Sequence, residues 1–302
     1  MDLLDSFLES LSSYQTRRAY RTDLRAFFSQ GEEINADLVQ ATTPEDIRAF
    51  VRTMHDLDLA GGTQRRRLAA LRSFFDWAMI EHVHDRNPAR HPDVKPMPPE
   101  NASSTVRSLT KLEVRDVLEA AGASDETGLR NQAIILTTVY AALRRSEIAD
   151  VEVEDIRPLG RYWILELNSG DTEAEYVRIP DQVVDMIDTV KGQYDVTTGP
   201  LWRSMSNRNY GEPLSADAIY TITRRAGKAA EVGPITVDTL RRTGLRLAAD
   251  GGANFSQIHA HGRFGNSAAA AQFHDADTAG GHLQDSATVY IEIDVSGVLR
   301  SA

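Results

Sequence analysis

The chain has 302 residues, room for two domains of ordinary size that each bury a core. It contains no cysteine, which excludes disulfides and thiolate metal sites. Asp and Glu number 44 against 33 Lys and Arg, for a net charge of -11 and a pI near 5.2, so bulk electrostatics oppose nucleic-acid binding.

The cations are unevenly chosen. Lysine occurs only at positions 95, 111, 191 and 228, so 29 of the 33 are arginines. An acidic, lysine-poor surface with arginine kept at chosen places fits adaptation to high salt, where the Debye length falls to about 3 Å and a global negative charge repels DNA little. The plainer reading is an ordinary acidic cytoplasmic protein. The start, MDLLDSFLESL, is amphipathic and acidic, and no stretch approaches a membrane span, so an intracellular protein without membrane association is expected.

In chain order, the first part reads as helices throughout. Leu3, Leu4, Phe7 and Leu11 share one helical face, as do Tyr20, Leu24, Phe27 and Phe28. The segment Thr63 to Met79 predicts a helix with Leu68, Leu71, Phe75 and Ala78 inward and Arg65, Arg66, Arg67 and Arg72 mostly outward. A basic exposed face suits DNA phosphates, and it is also what an ordinary solvated helix shows. Pro88, Pro92, Pro96, Pro98 and Pro99 then forbid helix continuation. These signals predict an N-terminal helical domain over residues 1–90, a proline-rich linker over 91–106 and a second domain over 107–302.

The second domain begins its own periodic pattern at Ser108. Arg130 to Ile148, RNQAIILTTVYAALRRSEI, predicts a buried apolar helix running without Pro or Gly into Arg144 and Arg145. Guanidinium groups at the end of a rigid element are suited to gripping an oxyanion, although helix ends favour such cations for the dipole alone. Arg161 to Leu167 and Glu175 to Pro180 flank a turn rich in Asn, Ser, Gly and Asp, giving a hairpin. Helices follow at Asp181 to Lys191, Ser215 to Ala230, Thr236 to Asp250 and near Ser256 to His261, and Ala268 to Gly281 reads as an insertion. DTLRRTG offers Arg241 and Arg242 on a helix, and SATVYIEI offers Tyr290, which in isolation would be a packing residue. His259, His261, His274 and His282 form a loose cluster without the acidic spacing of a metal site, so neither metal nor cofactor is expected.

Arg144, Arg241 and Tyr290 come in the order found in the tyrosine recombinases, the phage integrases and Xer-type resolvases, and nearly the whole chain resembles that family. AALRRSEI resembles the box T-G-L-R-x-S-E, which places Arg144 as the first catalytic arginine and Glu147 as its supporting acid. DTLRR resembles H-x-L-R-H at Leu240 and Arg241, with Asp238 and Arg242 replacing both histidines. FGNS resembles L-G-H-S, with Asn266 where a histidine or tryptophan is expected, and ATVYIEIDV resembles the nucleophile segment at Tyr290. SSYQTRRAYRTDLRAFF and GGTQRRRLAALRSFFDWA resemble the two best-marked helices of the core-binding domain, which makes Arg17, Arg21, Arg65, Arg66, Arg67 and Arg72 candidates for DNA contact.

The resemblance implies a mainly α protein: a helical core-binding (SAM-like) domain plus a mixed α/β catalytic domain with a small antiparallel sheet, closing as a clamp on double-stranded DNA and working as a homo-oligomer. The implied function is site-specific recombination through a 3′-phosphotyrosine; the alternative is a catalytically inactive DNA-binding protein of the same fold. The alternative rests on departures. The hairpin tip lacks the family's lysine and carries Asp171, Glu173 and Glu175 instead. Asp238, three residues before Arg241 on a helix, is placed to pair with it and to repel a phosphate. His261 or His274 could supply the missing acid or base.

Overall fold

Helix-start signals are explicit in the first half of the chain, and the computed structural model shows them in use. It describes residues 2–28, 33–97, 107–123, 126–167, 175–264 and 286–299. Backbone packing divides the chain into two units, Met1–Ser104 and Thr105–Ala302.

The first unit holds α1 (Leu3–Glu9), α2 (Tyr14–Phe27), α3 (Ala36–Ala41), α4 (Pro44–Asp56) and α5 (Gly61–Ile80). Asp2, Ser13, Asn35 and Thr43 cap the first four through side-chain oxygens, satisfying amides that have no partner within the helix. Thr43 and Asp46 form a reciprocal capping box with Pro44 in the first turn. The apolar faces expected on α1, α2 and α5 meet in one core. Phe7 and Phe28 each pack edge-on against Phe74 of α5, with ring centroids 5.4 and 5.5 Å apart. The beginning of the proline-rich segment belongs to this core as well: Val94 is buried, and Arg72 donates to the carbonyls of Ala89 and Val94 at 3.1 and 3.2 Å.

The second unit is built on α7 (Gly128–Tyr140), which is buried along nearly its whole length. Around it lie α6 (Lys111–Ala121), α8 (Arg145–Asp150), α9 (Asp181–Tyr194), α10 (Ala216–Ala229), α11 (Val237–Asp250) and α12 (Phe255–Gly262). The expected hairpin is present as β2 (Tyr162–Leu167) and β3 (Glu175–Ile179), antiparallel with Leu165 opposite Val177. A further strand, β1 (Ile156–Leu159), pairs with the other edge of β2, giving the order β1-β2-β3. The hairpin tip lies outside the described residues.

One sequence expectation is corrected. Arg130 to Ile148 is not a single helix: α7 stops at Tyr140, Ala142 enters the left-handed region at φ 47°, and the Leu143 amide closes on the Thr138 carbonyl. The chain restarts as α8 with Glu147 accepting from the Arg144 backbone amide at 2.6 Å. Leu143 and Ile148 are fully buried, so apolar content continues through the break and hides it from a periodicity reading.

Close approach between α7 and α11 is made possible by Gly244. A β-carbon there would lie 1.9 Å from the Val139 carbonyl oxygen. The C-terminal segment folds onto the same unit: a 3-10 turn (Ala287–Tyr290) is followed by Ile291 and Ile293 in the core, with the Ile293 amide donating to the Tyr140 hydroxyl at 3.3 Å and Gln132 Nε2 to the Val298 carbonyl at 2.8 Å. Among the described residues no helix is long and apolar enough to cross a membrane.

Candidate active site

The broken helix explains where the first arginine sits. Arg144 is the N-cap of α8, and its guanidinium donates to Glu147 Oε1 and, at 2.5 Å, to the Arg263 carbonyl. It stays half exposed. Arg241 projects from the second turn of α11, one turn before Gly244, so the tight α7–α11 contact carries it to the end of α7. There it is buried and donates to the carbonyls of Ala142 and Gly262, with its guanidinium 5.5 Å from the Phe264 ring centroid. The structure thus brings Arg144, Arg241 and Glu147 to one turn.

A third arginine, missed in the sequence, completes the cluster. Arg263 follows the last residue of α12 in a left-handed conformation, its side chain 4% exposed. It bonds Glu147 Oε2 at 2.7 Å and the carbonyls of Ala142, His261 and Ala141 at 2.8, 2.9 and 3.2 Å. The signal that could have found it is the glycine-basic pair Gly262-Arg263 at the end of SQIHAHG. The FGNS box lies downstream of it, with Asn266 three residues on and outside the described residues.

Electrostatics follow from this crowding. Burial, then the positive charges of Arg263 and Arg144, lower Arg241 to about 10, so it remains protonated at neutral pH. Burial pushes Glu147 upward, but the Arg263 charge, the Arg144 amide and both guanidinium hydrogen bonds outweigh it and hold the carboxyl below its ordinary 4.5. Arg144 and Arg263 share the part-buried Glu147 carboxylate, and Arg241 adds a third positive charge nearby. Glu175, at the start of β3, approaches Arg263 Nε at 3.7 Å. Such a cluster attracts an anion with non-bridging oxygens.

Two expectations about neighbouring groups are corrected. Asp238 pairs with Arg242 at 2.8 Å rather than with Arg241, because the Arg241 side chain turns into the core toward backbone carbonyls. His261 is buried, with no hydrogen-bond partner for its Nε2 among the described residues, and burial together with Arg263 and Arg241 pushes it down to about 3. A histidine lowered that far carries no imidazolium proton at pH 7 and keeps only the weakly acidic N–H of the neutral ring. His274 lies outside the described residues.

Tyr290 is placed elsewhere. It closes the 3-10 turn against Gly251 and Gly252 at the far end of α11, where a β-carbon on Gly251 would meet the Tyr290 carbonyl oxygen at 2.2 Å. At 1.5 Å per residue, about 15 Å of helix axis separates Arg241 from that seat. Among the described residues no hydrogen bond joins Tyr290 to either arginine.

In the first unit most of the candidate DNA-contact arginines have internal partners. Arg17 donates to the Leu11 carbonyl at 2.7 Å, Arg21 pairs with Asp5 at 2.7 Å, and Arg72 holds the Ala89 and Val94 carbonyls. Arg66 binds the buried Asp23 at 2.5 Å, with Arg67 3.7 Å from the same carboxylate. Burial pushes Asp23 upward, against the opposing pull of both arginines. Arg65 is exposed, with no ion-pair or hydrogen-bond partner among the described residues.

Comparison with known proteins agrees with this architecture. Residues 4–82 match the phage integrase N-terminal SAM-like domain, and residues 107–274 match the phage integrase family. A tyrosine recombinase of Synechococcus elongatus is 27% identical over 269 residues, 82% of this chain and 80% of the relative, and the tyrosine recombinase XerD of Listeria innocua is 27% identical over 272 residues, 85% and 88%. Among solved structures, a lambda integrase dimer bound to a COC′ core site has a TM-score of 0.67 at 20% identity, covering 94% of this chain and 98% of that one. The Tn1549 transposon integrase in complex with circular intermediate DNA has a TM-score of 0.70 at 15% identity, covering 92% and 96%. With both of its parts matched in order and the larger match spanning more than half its length, the chain belongs to the phage integrase family.

Proposed function

We propose that this protein is a site-specific DNA recombinase that cuts and rejoins duplex DNA through a 3′-phosphotyrosine, acting on DNA inside the cell as a homo-oligomer. The observation that carries the reading is the convergence of Arg144 and Arg241 on one turn, with Glu147 fixing the first of them. In the reaction, the Tyr290 hydroxyl gives up its proton as its oxygen attacks the scissile phosphorus, the bond from phosphorus to the 5′-oxygen breaks, and that oxygen takes up one proton, so that one phosphodiester replaces another with no net change in protons. Arg144 and Arg241 stabilise the charge that builds on the non-bridging oxygens. The free 5′-hydroxyl of a partner strand later reverses the step and releases Tyr290.

Attack requires Tyr290 to leave its seat on Gly251 and Gly252, a rearrangement that DNA binding or assembly would drive. The separation of Tyr290 from the arginines is also the observation that favours the second reading, a DNA-binding relative without cleavage.

A nicked suicide substrate drawn from the protein's own genetic neighbourhood, at low and multimolar salt, decides between them. A covalent protein–DNA adduct lost in Tyr290→Phe supports recombination. Mobility shifts without adduct on every DNA tested would leave the second reading.

A further inference from the structure

Arg263 occupies an unusual place for a guanidinium beside a phosphate site: it is almost fully buried, and its NH1 and NH2 groups are already engaged. Its donors join the carbonyls that flank the Ala142 turn to the Glu147 carboxylate, while its own carbonyl accepts from Arg144. Glu147 in turn holds both the amide and the guanidinium of Arg144. The connections form a closed ring: Arg144 to Glu147, Glu147 to Arg263, Arg263 back to Arg144.

From this ring we infer that Arg263 is a positioning residue, the clamp that fixes the Ala142 turn and aims Arg144 at the scissile phosphate. The inference rests on the recombinase reading for the phosphate, but the clamp itself is a statement about Arg144, Glu147 and the turn. Arginine is required because four acceptors surround one planar fork. A lysine ammonium, with three donors on one atom, cannot span two carbonyls on one side and a carboxylate on the other. Arg241 does not take this role, since its NH1 and NH2 each bond a carbonyl, of Ala142 and Gly262, and neither bonds Glu147.

Two measurements on the full-length chain test the clamp, comparing wild type with Arg263→Ala and Arg263→Lys. In the first, glutamate side-chain carboxyls carrying a carbon-13 label are titrated by NMR, with Glu147 assigned from its absence in Glu147→Gln. Removal of an opposite charge at this distance is expected to raise the Glu147 titration by about one pH unit or more in Arg263→Ala, with a smaller rise in Arg263→Lys. An unchanged titration would overturn the proposal. The second measures adduct formation beside DNA affinity. Misplacing a catalytic group by about 1 Å costs on the order of 100-fold in rate, so adduct formation is expected to fall by that factor while affinity changes by less than about threefold.

Arg263→Ala cleaving at the wild-type rate would overturn the proposal, as would equal losses of rate and affinity. Arg263→Lys retains the positive charge and serves both measurements if Arg263→Ala fails to fold. A raised Glu147 titration in a protein whose wild type never forms an adduct would sink the recombinase reading and leave the clamp standing.

Discussion

Ala142 carries a backbone cost that its surroundings sustain. At φ 47° an L side chain is disfavoured by about 1–2 kcal/mol, and glycine is not. The carbonyls on this turn accept from Arg241 and Arg263, so the strain is held in place by the groups that make the site. Ala142→Gly is expected to raise stability by about 0.5–1 kcal/mol, after the entropy glycine loses on folding, as measured by urea denaturation with an unchanged m-value. A loss of stability would show that the conformation is unstrained.

Glu147 makes a pH-dependent prediction at the same scale. Its folded carboxyl titrates below its ordinary 4.5, so its stabilisation is complete above that pH and is lost as pH falls through the folded value. Glu147→Gln is expected to cost about 3 kcal/mol at pH 7, because it leaves the buried Arg263 guanidinium without its carboxylate. That gap between variant and wild type should narrow on acidification below about pH 4.5. Parallel stability curves from pH 7 to pH 3 would show that the carboxylate charge contributes nothing.

The elements that place these residues meet without room to spare. Gly244 lets α11 lie against the Val139 carbonyl, and Gly251 lets the tyrosine-bearing turn lie against the other end of the same helix. One helix therefore seats Arg241 near its start and Tyr290 at its end. Gly244→Ala forces α7 and α11 apart and is expected to cost about 1–3 kcal/mol, read from chemical denaturation. It should also displace Arg241 and slow adduct formation more than it weakens DNA binding. A change below the error of the measurement would mean that the helices separate freely.

For the whole molecule the governing fact is an acidic surface on a chain that binds polyanionic DNA under the proposed function. The net charge of -11 favours self-repulsion, and salt screens it. Raising KCl from 0.1 to 2 M is therefore expected to raise the thermal midpoint by several degrees, whereas a falling midpoint would contradict the high-salt reading of the composition. Affinity for DNA should still fall with salt, with a slope set by the few phosphates that arginines neutralise. Internal pairing of Arg17, Arg21, Arg66 and Arg72 leaves Arg65 the more available of the candidate contacts in the first unit.

Much of the architecture was readable from residue order, because it rests on local chemistry. Apolar periodicity and turn composition outlined the principal helices and the β2–β3 hairpin, and the order of Arg144, Arg241 and Tyr290 pointed to the family. Other features depend on contacts between residues far apart in sequence. The break at Ala142 is invisible to periodicity because apolar residues continue through it, and β1 is four residues long with only partly buried or exposed side chains. Asp238 stood near Arg241 by spacing, yet core packing turns Arg241 toward carbonyls 99 and 21 residues away. Arg263 belongs to the site only because the end of α12 meets the end of α7. Tyr290 lies apart because Gly251 offers it a seat. Local propensity sets the elements; which buried donors find which acceptors is settled by packing, since an unpaired polar group in the interior is costly wherever its neighbours lie in the sequence.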